Sequence, residues 1–413
     1  MHDDQTAVLL MREEPNAEHE PHRMDELNGL AEAAGYKILA TVIQRRGRDH
    51  RFQLGRGKII QALSYNPDKL IFYNPLSPGQ VFNIRTEFSA RVIDRFNLIL
   101  EIFAARASTR EAKLQVELAR LTYDAPHARQ AASLRKLGEQ PGFRGAGVYE
   151  QAVYRDILSR IAKIKDALQD VEMIGQERRH RRHELGFDLM ALAGYTNAGK
   201  STIMNSLTQA SVAAQDQPFT TLSPTTRAAD ILGRHVLLTD TVGFIDDLPH
   251  FLIKAFRSTL AEISQADLIL LIADISDSPD ILRRKLVASH KALWDCGARA
   301  PLVTVLNKID RLSDDQVQPK IEAIGDLAAN PVLVSASSGQ GLDELKECIG
   351  QRLQPLKEFK IRLPYTAEAL SRLSRIYRSA QLVRVRYEDE MVVSFRGREE
   401  TASKTMTWGT HRY

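Results

Sequence analysis

Eight consecutive residues, Gly194-Tyr195-Thr196-Asn197-Ala198-Gly199-Lys200-Ser201, set four residues between a glycine and a glycine–lysine–serine run. That spacing suits phosphate chemistry. The glycines let the backbone curl until its N–H groups point inward at phosphate oxygens. The lysine brings a charge to the β- and γ-phosphates, and the serine hydroxyl is a hard oxygen ligand for Mg2+. An apolar run at residues 187–193 precedes the loop, and a helix-forming run that includes Thr202 follows it. Strand, loop and helix thus fall in the order the motif requires.

The base is chosen elsewhere. Asn307-Lys308-Ile309-Asp310 follows the apolar run 301–306, at a strand's C-terminal end, where open α/β sheets bind ligands. A carboxylate at Asp310 can accept from both N1–H and the 2-amino group of guanine, a donor pair that adenine lacks. Asn307 ties the loop together, and the aliphatic stem of Lys308 covers the base plane. Further on, Ser335-Ala336-Ser337 ends another apolar run, and the Ala336 backbone N–H is expected to meet the guanine O6.

Between these lie Asp240-Thr241-Val242-Gly243 and, upstream, the Thr-rich stretch 218–227. Asp240 can hold Mg2+ through water, and the Gly243 N–H can sense a γ-phosphate. Phe219, Thr220 and Thr221 fall in the Thr-rich stretch, and one threonine hydroxyl there completes the metal shell. Thr221 is favoured, with Thr220 as its competitor, so the expected metal ligands are Ser201 and Thr221. No catalytic side chain is identified. Phe244 stands where Ras-like enzymes place the glutamine that orients water. Asn197 occupies the loop position at which several glutamine-lacking GTPases carry a K+-binding asparagine. It has an equally good structural reading, as a turn residue bonding loop backbone. Together the four elements, in this order, point to GTP binding and hydrolysis.

Positioning these residues requires a doubly wound, mostly parallel sheet. Residues 187–193, 235–239, 267–275, 301–307 and 331–335 read as its strands. The chain of 413 residues is too long for one core. Four domains are expected: 1–104, 105–184, 185–356 and 357–413. In the first, residues 7–11, 36–43, 70–73 and 91–94 read as strands, with helices at 24–34 and 80–88. There Gly55, Gly57 and Lys58 hint at a second phosphate loop, but the run is too short and reads as a turn. In the second, Ile157, Ile161, Ile164, Leu168 and Val171 form a narrow helical stripe, shortened to Leu114, Leu118 and Leu121 upstream. The glycine-rich stretch 138–147 between them is expected to break the helix, giving an antiparallel helical hairpin. The last domain reads as strand–helix–strand–strand.

Of the net charge of +4, residues 105–184 contribute +5 (16 Lys and Arg against 11 Asp and Glu) and residues 357–413 another +5 (12 against 7). Such segments suit a polyanion. One of them includes the run Arg178, Arg179, Arg181 and Arg182. Two cysteines, Cys296 and Cys348, read as reduced thiols in the cytoplasm. No apolar run is long enough to span a membrane, and the start lacks the pattern of a secretory signal.

GYTNAGKST, FTTLSPTTR and DTVGFIDDLPHFLIKAFRSTL together resemble the HflX GTPases, relatives of the Obg group. The likeness extends to AEAAGYKILATVIQRR, VIDRFNLILEIFAARASTREAKLQVELARL and RLPYTAEALSRL, and so covers nearly the whole chain. The hairpin tip GEQPGFRGAGVYEQ departs from the GGxGxRGPGE type of many bacterial members. The resemblance implies a P-loop GTPase fold with an N-terminal α/β domain, a helical hairpin and a small C-terminal α/β domain. It implies a monomeric cytoplasmic protein that binds GTP and GDP with Mg2+, contacts large-subunit rRNA and splits or rescues stalled ribosomes. Scaffolding of large-subunit assembly is the alternative.

Overall fold

Residues Ala7–Met11 are apolar and all buried, the pattern of a strand covered on both faces. They lie in β1 (Thr6–Glu13), the second strand of a four-stranded sheet. The computed structural model describes residues 5–15, 21–138, 146–184, 186–208, 225–241, 243–244 and 262–397. It divides into two compact units, one built mostly of residues 1–170 and the other mostly of 171–413.

In the first unit β1 is followed by α1 (Pro21–Ala33), β2 (Lys37–Arg45), α2 (Arg56–Leu63), β3 (Lys69–Phe72), α3 (Pro78–Phe88), β4 (Val92–Asp94) and α4 (Arg95–Arg106). The strands run parallel in the order β2-β1-β3-β4. Ile59 and Ala62 of α2 and Ile84 of α3 share a core with Val8, Leu10, Leu70 and Phe72. Two helices were not expected. α4 buries Leu98, Ile99, Leu100, Ile102 and Phe103 over more than half of its circumference, so its sequence shows a continuous apolar run and no narrow stripe. α2 begins inside the Gly55–Lys58 run, which is therefore neither a phosphate loop nor a free turn. Gly55 is an extended N-cap, and its N–H donates to Gln44 Oε1 at 2.8 Å.

α5 (Arg110–Gly138) and α6 (Ala146–Glu184) form the hairpin. Leu118, Leu121 and Ile164 are buried, and the remaining stripe residues half-buried. Gly138, Ala146 and Gly147 are helical, contrary to expectation, while 139–145 lie outside the described residues. One carboxylate ties α5 to the sheet. Asp94 Oδ2 accepts from the Leu76 N–H at 3.1 Å and from the Tyr123 hydroxyl, and Oδ1 accepts from the Asn97 N–H at 3.0 Å. Burial and the Asp94 charge push the Tyr123 hydroxyl far above its usual range, so it stays a donor.

In the second unit β5 (Asp188–Gly194), α7 (Lys200–Thr208), β6 (Thr225–Ile231), β7 (Arg234–Asp240), β8 (Leu268–Asp274), α8 (Pro279–Asp295), β9 (Leu302–Asn307), α9 (Asp314–Ile324), β10 (Val332–Val334) and α10 (Leu342–Arg352) follow in turn. The sheet order is β10-β9-β8-β5-β7-β6, parallel except for β6. β6 was not expected, because an exposed edge strand of threonine, arginine and aspartate carries no apolar run. Apolar cores line both faces, one around Leu192, Leu238 and Leu270, the other around Ala191, Ile269 and Leu271. After α10 come β11 (Lys357–Leu363), α11 (Ala367–Ser379), β12 (Gln381–Tyr387) and β13 (Met391–Gly397). They form an antiparallel sheet in the order β11-β13-β12, with Leu373 and Ile376 of α11 packed against Met391, Val393 and Phe395.

Candidate nucleotide site

All seven residues of β5 are buried, so the strand's end is fixed in the core and the loop from Gly194 leaves it at one defined point. α7 starts at Lys200, which aims its first N–H groups back over the loop. Gly199 adopts φ +94°, and a Cβ there would lie 2.2 Å from Asn307 Nδ2. Gly243 is crowded in the same way: a Cβ would lie 2.8 Å from Thr196 Cγ2 and 3.1 Å from Lys200 Nζ. Asn197 has φ +62°, a left-handed conformation that asparagine tolerates.

Lys200 Nζ donates to Gly194 O at 3.2 Å and to Tyr195 O at 2.9 Å. Burial pushes its ammonium down to about 8, against the opposing pull of Asp240. A charged lysine is what a polyphosphate needs. Above pH 8 the free protein must therefore take up a proton to bind nucleotide. We expect GDP affinity to fall between pH 8 and pH 9, approaching tenfold per unit. A pH series of GDP titrations checks this, and a flat profile would contradict it.

The Ser201 hydroxyl donates to Asp240 Oδ2 at 2.6 Å, joining the loop to the end of β7. Beside them, Thr241 Oγ1 donates to Leu192 O at 2.7 Å. The Phe244 N–H donates to Gly194 O at 2.9 Å, and its carbonyl accepts from the Thr196 N–H at 2.8 Å. Its ring is 2% exposed in the core with Ala193 and Leu271. Phe244 is thus a latch on the loop and offers no group to water. Phe244→Leu should cost about 1 kcal/mol of stability. Single-turnover GTP hydrolysis should stay within about threefold, since no proton-handling group is lost. A large loss with normal nucleotide binding would overturn this.

At the other end of the site Asn307 is a bridge. Its Nδ2 donates to Ala198 O at 3.0 Å, and its Oδ1 accepts the Ala336 N–H at 3.0 Å. The Ala336 amide, expected to meet the base, is engaged by Asn307 in this structure. Ser335 is buried, with Oγ 3.0 Å from Ser337 Oγ. Ile309 and Asp310 lie on a short 3-10 turn (Ile309–Arg311), with Asp310 exposed. Phe219, Thr220, Thr221 and Val242 lie outside the described residues.

Four charged residues were missed. Lys308 Nζ donates to Asn197 O at 2.9 Å and pairs with Asp274 Oδ2 at 2.8 Å. Burial would raise the Asp274 carboxyl, but Lys308 and Ser276 outweigh it and hold the group below the usual range. Lys285 pairs with Asp277 at 2.7 Å and lies 5.2 Å over the Tyr195 ring. Lys320 Nζ donates to the carbonyls of Ile275, Ser276 and Asp277 at 2.9, 3.2 and 2.6 Å. The available signal was Asp274 itself, an acid closing an apolar run at the ligand-binding end of the sheet.

A strand-borne phosphate loop, joined through one asparagine to the Ile309–Arg311 turn at the end of a neighbouring strand, is the arrangement of a P-loop GTPase. Three family models match the chain: "GTP-binding GTPase N-terminal" at residues 21–104, "GTP-binding GTPase Middle Region" at 106–182 and "50S ribosome-binding GTPase" at 189–308. GTPase HflX of Methanocaldococcus jannaschii is 36% identical over 411 residues, covering 97% of this chain and 98% of its own. GTPase HflX of Thermococcus kodakarensis is 40% identical over 357 residues, covering 83% and 80%. Among solved structures, that of an SsGBP–GDP complex aligns with a TM-score of 0.51 at 26% identity, covering 84% of this chain and 98% of that one. The chain belongs to the HflX GTPase family, and it binds and hydrolyses GTP.

Proposed function

We propose that this GTPase acts as a cytoplasmic monomer that binds the large ribosomal subunit in its GTP form and splits or rescues stalled ribosomes. The observation that carries this reading is the match of residues 189–308 to the "50S ribosome-binding GTPase" model. The excess positive charge of 105–184 and 357–413 supports it, because rRNA binding is dominated by phosphate contacts.

In this reading the residues from Gly194 to Thr202 wrap the phosphates, and Lys200 neutralises the β- and γ-oxygens. The hydroxyl of Ser201 and the carboxylate of Asp240 form a hard-oxygen donor pair that fits Mg2+. Ser201 would ligate it directly and Asp240 through water, with Thr221 completing the shell. When bound, the ion neutralises charge on the phosphates. The Gly243 N–H reports the γ-phosphate, and Asn307, Lys308 and Asp310 hold the base.

Sucrose gradients of stalled monosomes with the protein and a non-hydrolysable GTP analogue test the ribosome reading. Free subunits are expected. Co-sedimentation with precursor particles alone would favour a role in subunit assembly, and no co-sedimentation would overturn ribosome association.

Asn197 takes part in a second expectation. Its side-chain carbonyl is a hard ligand suited to K+ beside the β–γ bridge, where an arginine finger would otherwise act. Single-turnover hydrolysis should be faster in KCl than in NaCl at matched ionic strength. Asn197→Gly keeps the left-handed backbone and removes the carbonyl, so it should abolish the difference. Equal rates of the parent protein in both salts would leave Asn197 a structural residue.

A further inference from the structure

The three-stranded sheet after α10 has two unlike faces. Phe359, Ile361, Val385, Met391, Val393 and Phe395 face α11 and form the core. On the opposite face the register sets Lys360 and Arg384 on either side of Ser394, and Arg362 and Arg386 on either side of Val392. All four cations are exposed. Among the described residues none of them is paired with a carboxylate. An ion pair on this face, Arg396 with Glu358 at 3.8 Å, lies at its end.

Like charges in adjacent rows of a sheet repel, and a stability-driven sequence would intersperse acids. The rows here are two residues apart along the strands, about 6.6–6.8 Å, and each row is two strand spacings wide, about 9.5 Å. The result is a regular cationic lattice suited to a chain of regularly spaced anions. Val392, at the centre, is only 7% exposed. Among the described residues this face offers neither an exposed apolar wedge for a membrane nor an aromatic platform for stacking bases.

We propose that the outer face of the β11-β13-β12 sheet binds an RNA phosphodiester backbone without reading its sequence. The choice of RNA over an acidic protein surface rests on the ribosome reading above. The cationic lattice itself does not.

The test uses the full chain, a fluorescent oligo(U) and a KCl series. Lys360→Gln, Arg362→Gln, Arg384→Gln and Arg386→Gln are combined. The control variant carries the same charge loss elsewhere, as Lys291→Gln, Arg299→Gln, Lys346→Gln and Arg352→Gln. GTP hydrolysis without RNA should be unchanged in both and reports folding. The sheet variant should lower the slope of log affinity against log salt by roughly 2–3, about 0.7 for each lost phosphate contact on a single strand. The control should leave the slope as it is. An unchanged slope in the sheet variant, or an equal fall in the control, overturns the proposal. So does parent protein that binds polyglutamate or anionic phosphatidylserine vesicles as tightly as oligo(U). Because the probe contains no ribosome, failure of ribosome association in gradients leaves this result standing.

Discussion

Asp310→Asn is expected to weaken GTP binding by about 30- to 900-fold and to improve binding of xanthosine triphosphate. The carboxylate is exposed on the Ile309–Arg311 turn, available to a ligand. The turn is held from both sides, by Asn307 to Ala198 and Ala336 and by Lys308 to Asn197 and Asp274. An amide at 310 keeps this framework but presents a donor where guanine also presents donors. Leaving that polar edge unpaired costs about 2–4 kcal/mol. Xanthine offers a 2-oxo acceptor there instead, so its nucleotide gains the contact that guanine loses. Parallel titrations of the two triphosphates measure both effects. Unchanged GTP affinity would remove Asp310 from the base site.

Gly199→Ala should be the more disabling change, because it strikes both halves of the site at once. At φ +94° any side chain is strained, at a cost of roughly 1–2 kcal/mol. The new Cβ would also stand 2.2 Å from Asn307 Nδ2, so Asn307 must leave its bonds to Ala198 O and the Ala336 N–H. Each buried bond lost costs about 1–3 kcal/mol. The expected sum is about 3 kcal/mol or more of lost folding stability, and nucleotide affinity should fall with it because the loop and Asn307 no longer hold their parental places. GTP and GDP should suffer alike, since the γ-phosphate is not involved. Far-ultraviolet circular dichroism establishes that the variant is folded. A folded variant with parental GDP affinity would show that the asparagine bridge is dispensable.

What could be read from the chain and what could not divides along a physical line. The phosphate loop and the Asn307–Asp310 run were legible because their chemistry depends on spacing along the backbone. The long strands of the second sheet were legible because burial on both faces leaves unbroken apolar runs, as in Leu268–Asp274. α4 and β6 were hidden for opposite reasons, one apolar over more than half of its circumference and the other lacking any apolar run. Gly55–Lys58 misled because a glycine–lysine run has several uses, and only Gln44 shows which one operates here. The Lys308–Asp274 pair, the three carbonyls under Lys320 and the capture of the Ala336 amide join segments distant in sequence. No local pattern encodes such pairings.

The grip of Asp94 on Tyr123 helps to set the direction in which α5 leaves the sheet. Fifteen residues separate Tyr123 from the helix end at Gly138, an arm of about 22 Å at 1.5 Å per residue. A rotation of about 10° at that anchor sweeps the end of α5 through about 4 Å, more than half a helical turn. The geometry of that one carboxylate at the root therefore bears on where the whole far half of the helix is placed.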